Sequence, residues 1–233
     1  MKYALGAVLA IVLLAAKPAL AYQGITLAAS GSIPPYIIDQ HNGSQLEVIR
    51  DALLAEELLI DELMFVSNLR AMRLLKAKQV DAVINAPAGS PDIYYSDPVV
   101  HYQNVAISLR DSGLTINSLQ DLRSLKVMAF QNAARYLGPE YAQVLEGQNN
   151  YFEVVNQQAQ IERLHRQQVD VIVLDREIYH YFAQKLDEQR LTLHPVTFHE
   201  LFPASPRVLG FHSPQLRDRF NRGLKQVQTM ERQ

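Results

Sequence analysis

The sequence LKAKQVDAVI at residues 75–84 returns in outline as LHRQQVDVIV at residues 164–173, so that Val80 and Val169 lie 89 positions apart. Each copy has the pattern of a helix end, a turn and a short run rich in β-branched residues. Such a run is too short for a helix and favours a strand buried on both faces. One unit in each half of the chain predicts two α/β lobes with a crevice between them. The alternative is coincidence, because any α/β protein repeats helix, turn and strand.

Strand and helix alternate along the rest of the chain, which favours mostly parallel sheets. Residues 99–109 form one long run that we interpret as a strand crossing from the first lobe to the second, and residues 191–197 predict a returning strand. Two crossings make the first lobe discontinuous. We therefore expect one lobe to comprise residues 22–106 and 196–233, and the other to comprise residues 107–195.

Residues 1–21 have the pattern of a secretory signal peptide. Lys2 supplies a positive start, an apolar stretch follows, and Ala19-Leu20-Ala21 is a small-x-small cleavage site. A retained anchor is the alternative, but Lys17-Pro18 breaks the apolar run before it reaches the roughly 20 residues that a membrane span needs. We expect a periplasmic protein that is not inserted in the membrane after cleavage.

Composition excludes several classes of protein. The chain has no cysteine, which rules out disulfides, cysteine ligands and a lipoprotein N-terminus. Its net charge is −2 and no basic stripe carries interleaved aromatics, so a nucleic-acid partner is not expected. The seven histidines show no metal-ligand spacing, and no G-x-S-x-G or phosphate-binding glycine loop occurs. We expect a monomer without metal or cofactor.

A set of short motifs occurs in a fixed order along the chain. Each motif is weak by itself, but six in order carry more weight. The six are Pro34-Pro35-Tyr36; Gly43 with residues 46–49; residues 74–84; Tyr95-Ser96-Asp97-Pro98; residues 118–122 followed by Lys126-Val127; and residues 169–175.

Together these segments resemble the extracellular solute-binding proteins of family 3, the periplasmic components of polar amino-acid ABC transporters and their relatives. The resemblance covers nearly the whole mature chain. It implies an α/β protein of the periplasmic binding protein-like type II fold, in which two lobes joined by two hinge strands close on a ligand. It also implies capture of a small polar solute, such as an amino acid or a related compound, for an inner-membrane ABC permease or a sensor.

The resemblance also implies a pair of charged contacts, of which this chain keeps one. In members that bind amino acids, an arginine after the first repeated strand binds the ligand carboxylate, and an aspartate after the second binds the ammonium group. Asp175 lies at the aspartate position, but residues 86–95 contain no arginine. Residues 131–134 replace the Gly-Thr whose backbone amides would meet the carboxylate. An ordinary α-amino acid therefore does not follow from this pattern.

Two candidate site residues each have a structural alternative. Asp175 either binds a cationic group of the ligand or caps the helix that begins near Arg176. Tyr36 either covers the ligand as an aromatic lid or packs its loop onto the first lobe.

Five further candidates are charged or amide side chains near the predicted crevice. Arg70 and Arg135 could replace the missing arginine, although solvent exposure is the usual state of such side chains. Asn85, Gln131 and Asn132 follow strands on opposite lobes, and they either bind a polar solute or form turns.

Three functions stay open at this point. The first is the solute-binding protein, which is not an enzyme. The second is an enzyme on the same scaffold, such as a dehydratase-like protein with cleft carboxylates as general acid and base. The third is a module that binds a peptide or a partner protein.

Overall fold

Two five-stranded sheets, each covered by helices, build the chain. The structure is a computed structural model that describes residues 22–145 and 147–230, so the predicted signal peptide lies outside the described residues. In chain order the elements are β1 (Gln23–Ala29), α1 (Ser44–Leu54), β2 (Leu58–Phe65), α2 (Asn68–Lys76), β3 (Ala82–Ile84), β4 (Tyr94–Tyr95), β5 (Val100–Tyr102), β6 (Asn104–Leu109), 3₁₀ turns at Arg110–Ser112 and Leu119–Leu122, β7 (Val127–Phe130), α3 (Ala133–Tyr136), α4 (Pro139–Leu145), β8 (Tyr151–Val154), α5 (Gln157–His165), β9 (Val171–Asp175), α6 (Arg176–Glu188), β10 (Val196–His199), β11 (Ser205–Arg207), β12 (Leu209–Phe211) and α7 (Pro214–Met230).

The first sheet has the order β2-β1-β3-β12-β4. Strand β1 is parallel to β2 and β3, whereas β12 is antiparallel to both of its neighbours. Leu46, Ile49 and Leu53 recur at helical spacing on α1 and are fully buried, because they face the core that α1 shares with α7. We call this sheet with α1, α2 and α7 the first lobe.

The second sheet has the order β10-β6-β9-β7-β8, with β7 parallel to β8 and β9 and with β6 antiparallel to β9 and β10. Every residue of β9 is buried, as expected for a central strand covered on both faces. We call this sheet with α3 to α6 the second lobe. The two α/β lobes that the sequence predicts are therefore present, each built on its own sheet.

The repeated segment has the same structure in both lobes. The first copy ends α2 with Lys78 in the left-handed region, at a φ of 56°, and the second ends α5 with Gln167 at 57°. Both helix ends have the two backbone bonds of a Schellman motif, in which the residue after the left-handed one reaches back five positions. In each copy the aspartate that follows, Asp81 or Asp170, accepts a backbone N–H from the neighbouring strand segment, at Thr26 or Lys126. The two copies therefore share one backbone motif, with the left-handed residue and the aspartate at corresponding positions.

The links between the lobes differ from the predicted long strands. The run 99–109 is two strands, β5 and β6, because the N–H of Gln103 donates to the Asp175 carboxylate instead of to a sheet. The returning strand begins at Val196 rather than at Leu191. Pro195 has no N–H, and the N–H of His194 donates to a histidine ring, so neither residue can pair as a strand donor. A small antiparallel pair, β5 with β11, lies on these links.

The repeat generates a prediction about stability. A residue other than glycine carries a steric cost of about 1–2 kcal/mol in the left-handed region. Glycine avoids that cost, but its greater conformational entropy in the unfolded state cancels part of the gain. We expect Lys78→Gly to raise the free energy of unfolding by roughly 0.5–1 kcal/mol in urea denaturation. The neighbouring Gln79→Gly is the control and should lower it, because Gln79 is not in the left-handed region. A loss of stability in Lys78→Gly would contradict this account.

The buried histidine of α5 generates a prediction about pH. His165 is 4% exposed, its Nδ1 accepts the N–H of His194, and its Nε2 lies 3.2 Å from the Tyr179 hydroxyl. Burial, and secondarily the nearby His194, lowers the pKa of His165 to about 4. As the pH falls, the His165 ring is protonated at a higher pH in the unfolded chain than in the folded protein. The free energy of unfolding is therefore highest above about pH 6.5 and falls by about 1–3 kcal/mol as the pH approaches 4.

We expect His165→Gln to flatten the dependence of unfolding free energy on pH between about 6.5 and 4, since one titrating group is removed. The exposed His101→Gln is the matched control and should leave the slope unchanged. Equal slopes in wild type and His165→Gln, measured by urea denaturation across this range, would show that the buried ring is not the group responsible.

Candidate ligand-binding cleft

Asp175 is a buried carboxylate at the point where the two lobes meet. It ends β9, precedes α6 and is 2% exposed. Its Oδ1 accepts the N–H groups of Glu177 and Ile178 at 2.9 and 3.1 Å, so the predicted helix cap is confirmed. The same Oδ1 accepts the Tyr36 hydroxyl at 2.9 Å, and Oδ2 accepts the Gln103 N–H at 2.7 Å.

Two opposing effects act on this carboxyl group. Burial raises the pKa of Asp175, and the four hydrogen bonds that it accepts oppose this shift. All four partners are donors, which is the pattern that suits the ionised form. A buried anion at a strand end is a suitable contact for a cation, whether a guanidinium or an ammonium group.

Tyr36 connects the loop after β1 with the second lobe. Its ring is 5% exposed and stacks on the ring of Tyr102, with centroids 4.0 Å apart and planes 22° apart. Burial, and then the Asp175 charge, raises the pKa of Tyr36 above its usual value, so the hydroxyl keeps its proton and donates. The Tyr36 side chain packs in the second-lobe core and not, as the packing interpretation had it, on the first lobe, and its role as a lid over a ligand stays a prediction.

The side chains of three residues are joined in a closed set of hydrogen bonds that we call the polar ring; they are Gln45, Asn85 and Tyr102. Gln45 is fully buried, its Oε1 accepts the Tyr102 hydroxyl at 3.0 Å, and its Nε2 donates to Oδ1 of Asn85 at 2.9 Å. Nδ2 of Asn85 closes the ring with long contacts to the other two side chains. Burial raises the pKa of Tyr102 to about 12, so its hydroxyl also stays protonated.

Arg207 places a positive charge on the same stack. Its guanidinium lies 4.2 Å from the centre of the Tyr102 ring. The Tyr36 ring is equally close to Tyr102, and two groups at that distance cannot share one face, so Tyr102 lies between them. Within residues 22–145 and 147–230, Nε of Arg207 is buried and has no hydrogen-bond partner.

The loop after β7 uses its backbone amides on a side chain of this chain. The N–H groups of Asn132 and Ala134 donate to the two carboxylate oxygens of Glu153, at 2.7 and 3.0 Å, and the Tyr151 hydroxyl adds a third bond at 2.7 Å. The carboxylate of Glu153 therefore takes up the amides for which the resemblance predicts a ligand carboxylate. The exposed side chains of Gln131 and Arg135 flank this loop.

The structure gathers three of the seven predicted site residues in one place. Tyr36 and Asp175 touch directly, and Asn85 joins them through Tyr102. The other four side chains are exposed, at the start of α2 or in and beside α3, and they make no contact with the Asp175 carboxylate. These four are Arg70, Gln131, Asn132 and Arg135. Ligand contact stays a prediction for all seven.

Four residues of this region were missed by the sequence reasoning. A signal existed for Gln45, which precedes Ile49 and Ala52 at helical spacing and therefore lies on the buried face of α1. A sequence signal also existed for Glu153, which lies two residues after Tyr151 and therefore on the same face of β8. Gln103 and Arg207 reach the site through the interlobe links, and no local pattern indicates them.

The described part of the chain offers little for other kinds of site. No group of three His, Asp or Glu side chains there could hold a metal ion. Within those same residues, no helix is long and apolar enough to cross a membrane. A surface cavity of about 280 Å³ lies on the second lobe, and none of the seven predicted site residues lines it. Its lining is Lys126, Met128, Phe152, Arg163, Gln168 and Val169.

Comparison with protein-family models and with curated protein sequences finds no match. Solved structures do match. An ancestral cationic amino-acid solute-binding protein is 17% identical, with a TM-score of 0.67 over 88% of this chain and 90% of its own. A histidine kinase sensor domain with similarity to periplasmic binding proteins is 17% identical, with a TM-score of 0.66 over 91% and 93%.

A third similar structure is ArtJ, an arginine-, lysine- and histidine-binding protein from Geobacillus stearothermophilus. It is 15% identical, with a TM-score of 0.63 over 90% of this chain and 91% of its own. At such identities the likeness establishes the fold. The chain has the two-lobed fold of these binding proteins along nearly its whole described length.

The polar ring generates a prediction about stability. Gln45→Leu leaves the buried Tyr102 hydroxyl without its acceptor and should cost about 1–3 kcal/mol of unfolding free energy. Gln45→Leu combined with Tyr102→Phe removes both partners, so the double variant should lose about 1 kcal/mol less than the sum of the single losses. The exposed Gln226→Ala is a control that should change little. Strict additivity in urea denaturation would show that the two side chains do not interact.

Proposed function

We propose that this chain is an exported solute-binding protein that holds a small polar solute with a cationic group between its two lobes. The observation that carries the proposal is Asp175, a buried carboxylate on the second lobe that faces a first-lobe loop. A buried charge is costly unless it is paired, and a cation beside the Asp175 carboxylate would supply such a pairing.

The surroundings of Asp175 support a ligand defined by its cation. Residues 86–95 hold no arginine that could bind a carboxylate, and Glu153 occupies the amides of Asn132 and Ala134. The proposed solute therefore needs a guanidinium or ammonium group but not an α-carboxylate. The names of the similar structures, which bind arginine, lysine and histidine or cationic amino acids, are consistent with a cationic solute.

Delivery to an ABC-type permease and presentation to a sensor are both consistent with the fold, because binding proteins and a kinase sensor domain are among the similar structures. The periplasmic location, the signal peptide and the lobe boundaries near residues 106 and 196 belong to this proposal as predictions. In either setting the lobes would close on the solute by bending at the two links.

The enzyme alternative needs a second carboxylate that works with Asp175. The four described partners of Asp175 are hydrogen-bond donors, and burial rather than a neighbouring anion leads the rise of its pKa. The adjacent Glu177 contributes its backbone N–H to Asp175, and its side chain is exposed. This arrangement favours binding over acid–base catalysis.

Thermal-shift measurements on residues 22–233 test the proposal. A ligand that binds only the folded state stabilises it by about 2.7 kcal/mol at a concentration of 100 times Kd. We expect arginine, lysine or agmatine to raise Tm by about 5 °C or more, since agmatine has the guanidinium of arginine without its carboxylate. Glutamate and sucrose should leave Tm unchanged. If only neutral or anionic solutes raise Tm, the proposal is wrong.

Asp175→Asn removes the charge but keeps an oxygen that can cap α6, and it should weaken binding of the active cation at least tenfold by calorimetry. Asp187→Asn removes an exposed carboxylate from the same helix, roughly 18 Å away along its axis, and should leave affinity unchanged. Equal affinity in wild type and Asp175→Asn would remove Asp175 from the binding site.

A further inference from the structure

The backbone of Tyr36 belongs to the first lobe. Its carbonyl accepts the N–H groups of Gln45 and Leu46 at the start of α1, and the next residue, Ile37, lies in the first-lobe core. Gly43 passes so close that a Cβ there would lie 2.4 Å from the Tyr36 carbonyl oxygen. Because these contacts involve the backbone, they hold the loop to the first lobe in any orientation of the tyrosine side chain.

The side chain of Tyr36 belongs to the second lobe. It lies in the apolar cluster that contains Leu174 and Ile178, stacks on Tyr102, and donates its hydroxyl proton to Asp175. One residue thus has its backbone in one lobe and its side chain in the other. The hydrogen bond to Asp175 spans 139 positions of the chain.

The other three donors to Asp175 are fixed by secondary structure. Glu177 and Ile178 donate from the first turn of α6, and Gln103 donates from a link whose carbonyl accepts the Arg176 N–H. Oδ1 accepts three of these four donors and Oδ2 accepts one, and the residue is only 2% exposed, so a solute reaches the carboxylate only if a covering group moves away. Tyr36 is the only one of these four donors that side-chain rotation can remove without breaking a helix or a strand.

We propose that the Tyr36 side chain is an internal occupant of the Asp175 site, one that fastens the two lobes together and that a cationic solute has to displace to reach the carboxylate. The inference rests on the proposed function for the identity of the competitor, but the fastening itself does not. We call the Tyr36–Asp175 contact the latch.

The latch also selects among solutes. A cation adds Coulomb attraction between opposite charges to its hydrogen bond with an ionised carboxylate, which a neutral hydroxyl donor cannot add. A cation therefore gains free energy by replacing the Tyr36 hydroxyl, whereas a neutral hydroxyl of a sugar only exchanges one O–H donor for another. The apparent affinity for a cation equals the intrinsic affinity multiplied by the fraction of molecules in which the latch is open.

Distance measurement between the lobes tests the latch without any ligand. The chain has no cysteine, so Lys76→Cys on α2 and Asp187→Cys on α6, both exposed, accept spin labels selectively. Double electron–electron resonance on this labelled pair should give one narrow distribution of distances between the labels. The further substitution Tyr36→Phe keeps the stacked ring and removes the hydroxyl. It should raise the fraction of molecules with the lobes further apart on the order of tenfold, so that a second population appears in the distance distribution.

Tyr94→Phe is the matched control, since it removes an exposed hydroxyl from the first lobe and should preserve the narrow distribution. Circular dichroism confirms that each variant is folded before labelling. An unchanged distribution in Tyr36→Phe would overturn the latch.

Calorimetry with arginine then tests the competition. Tyr36→Phe should bind arginine about tenfold more tightly than wild type, because the internal competitor is lost. Equal or weaker binding would overturn the displacement step. If arginine binds neither protein although the distance measurement shows the latch, the proposed ligand class fails and the latch stands.

Discussion

The arrangement of the two lobes depends on one buried carboxylate and its four donors. Asp175 is reached by the first turn of α6, by the interlobe link at Gln103 and by the first-lobe tyrosine Tyr36. An isolated charge in such a place would cost several kcal/mol, so each donor offsets part of a large desolvation penalty. The end of the second sheet, the path of the link and the position of the first-lobe loop are therefore coupled through a single side chain.

The chain places its own side chains at the two positions where the resemblance implies contacts with a zwitterionic ligand. The Tyr36 hydroxyl donates to Asp175, for which the resemblance implies an ammonium group, and the Glu153 carboxylate accepts the amides for which it implies a ligand carboxylate. These two side chains differ in how readily they can move away. Tyr36 comes from the other lobe and can rotate away, whereas Glu153 is on the strand beside β7 and makes three hydrogen bonds. The cation position can therefore be exchanged more readily than the anion position, which is why the proposed solute is defined by its positive charge.

The repeated segment shows how far a local pattern can predict structure. Its helix end, left-handed turn and aspartate bonds recur 89 positions apart because each feature involves the backbone within a few residues, or one neighbouring strand. The copies diverge immediately after the strands, where Ala86 takes the place that corresponds to Asp175. Backbone geometry is thus shared between the lobes, while the charged contact belongs to one of them.

The sequence by itself determined the alternation of strands and helices and the buried strands, because periodicity and end-capping are local properties, and its resemblance to a known family supplied the fold class and the candidates Asp175 and Tyr36. Only the tertiary structure decided that Tyr36 meets Asp175, that Gln45 supports Tyr102, that Arg207 stacks on the same ring, and that the predicted strand 99–109 breaks at Gln103. These contacts join residues from 57 to 139 positions apart or depend on them. Their geometry follows from the packing of one lobe on the other, which no run of neighbouring residues encodes.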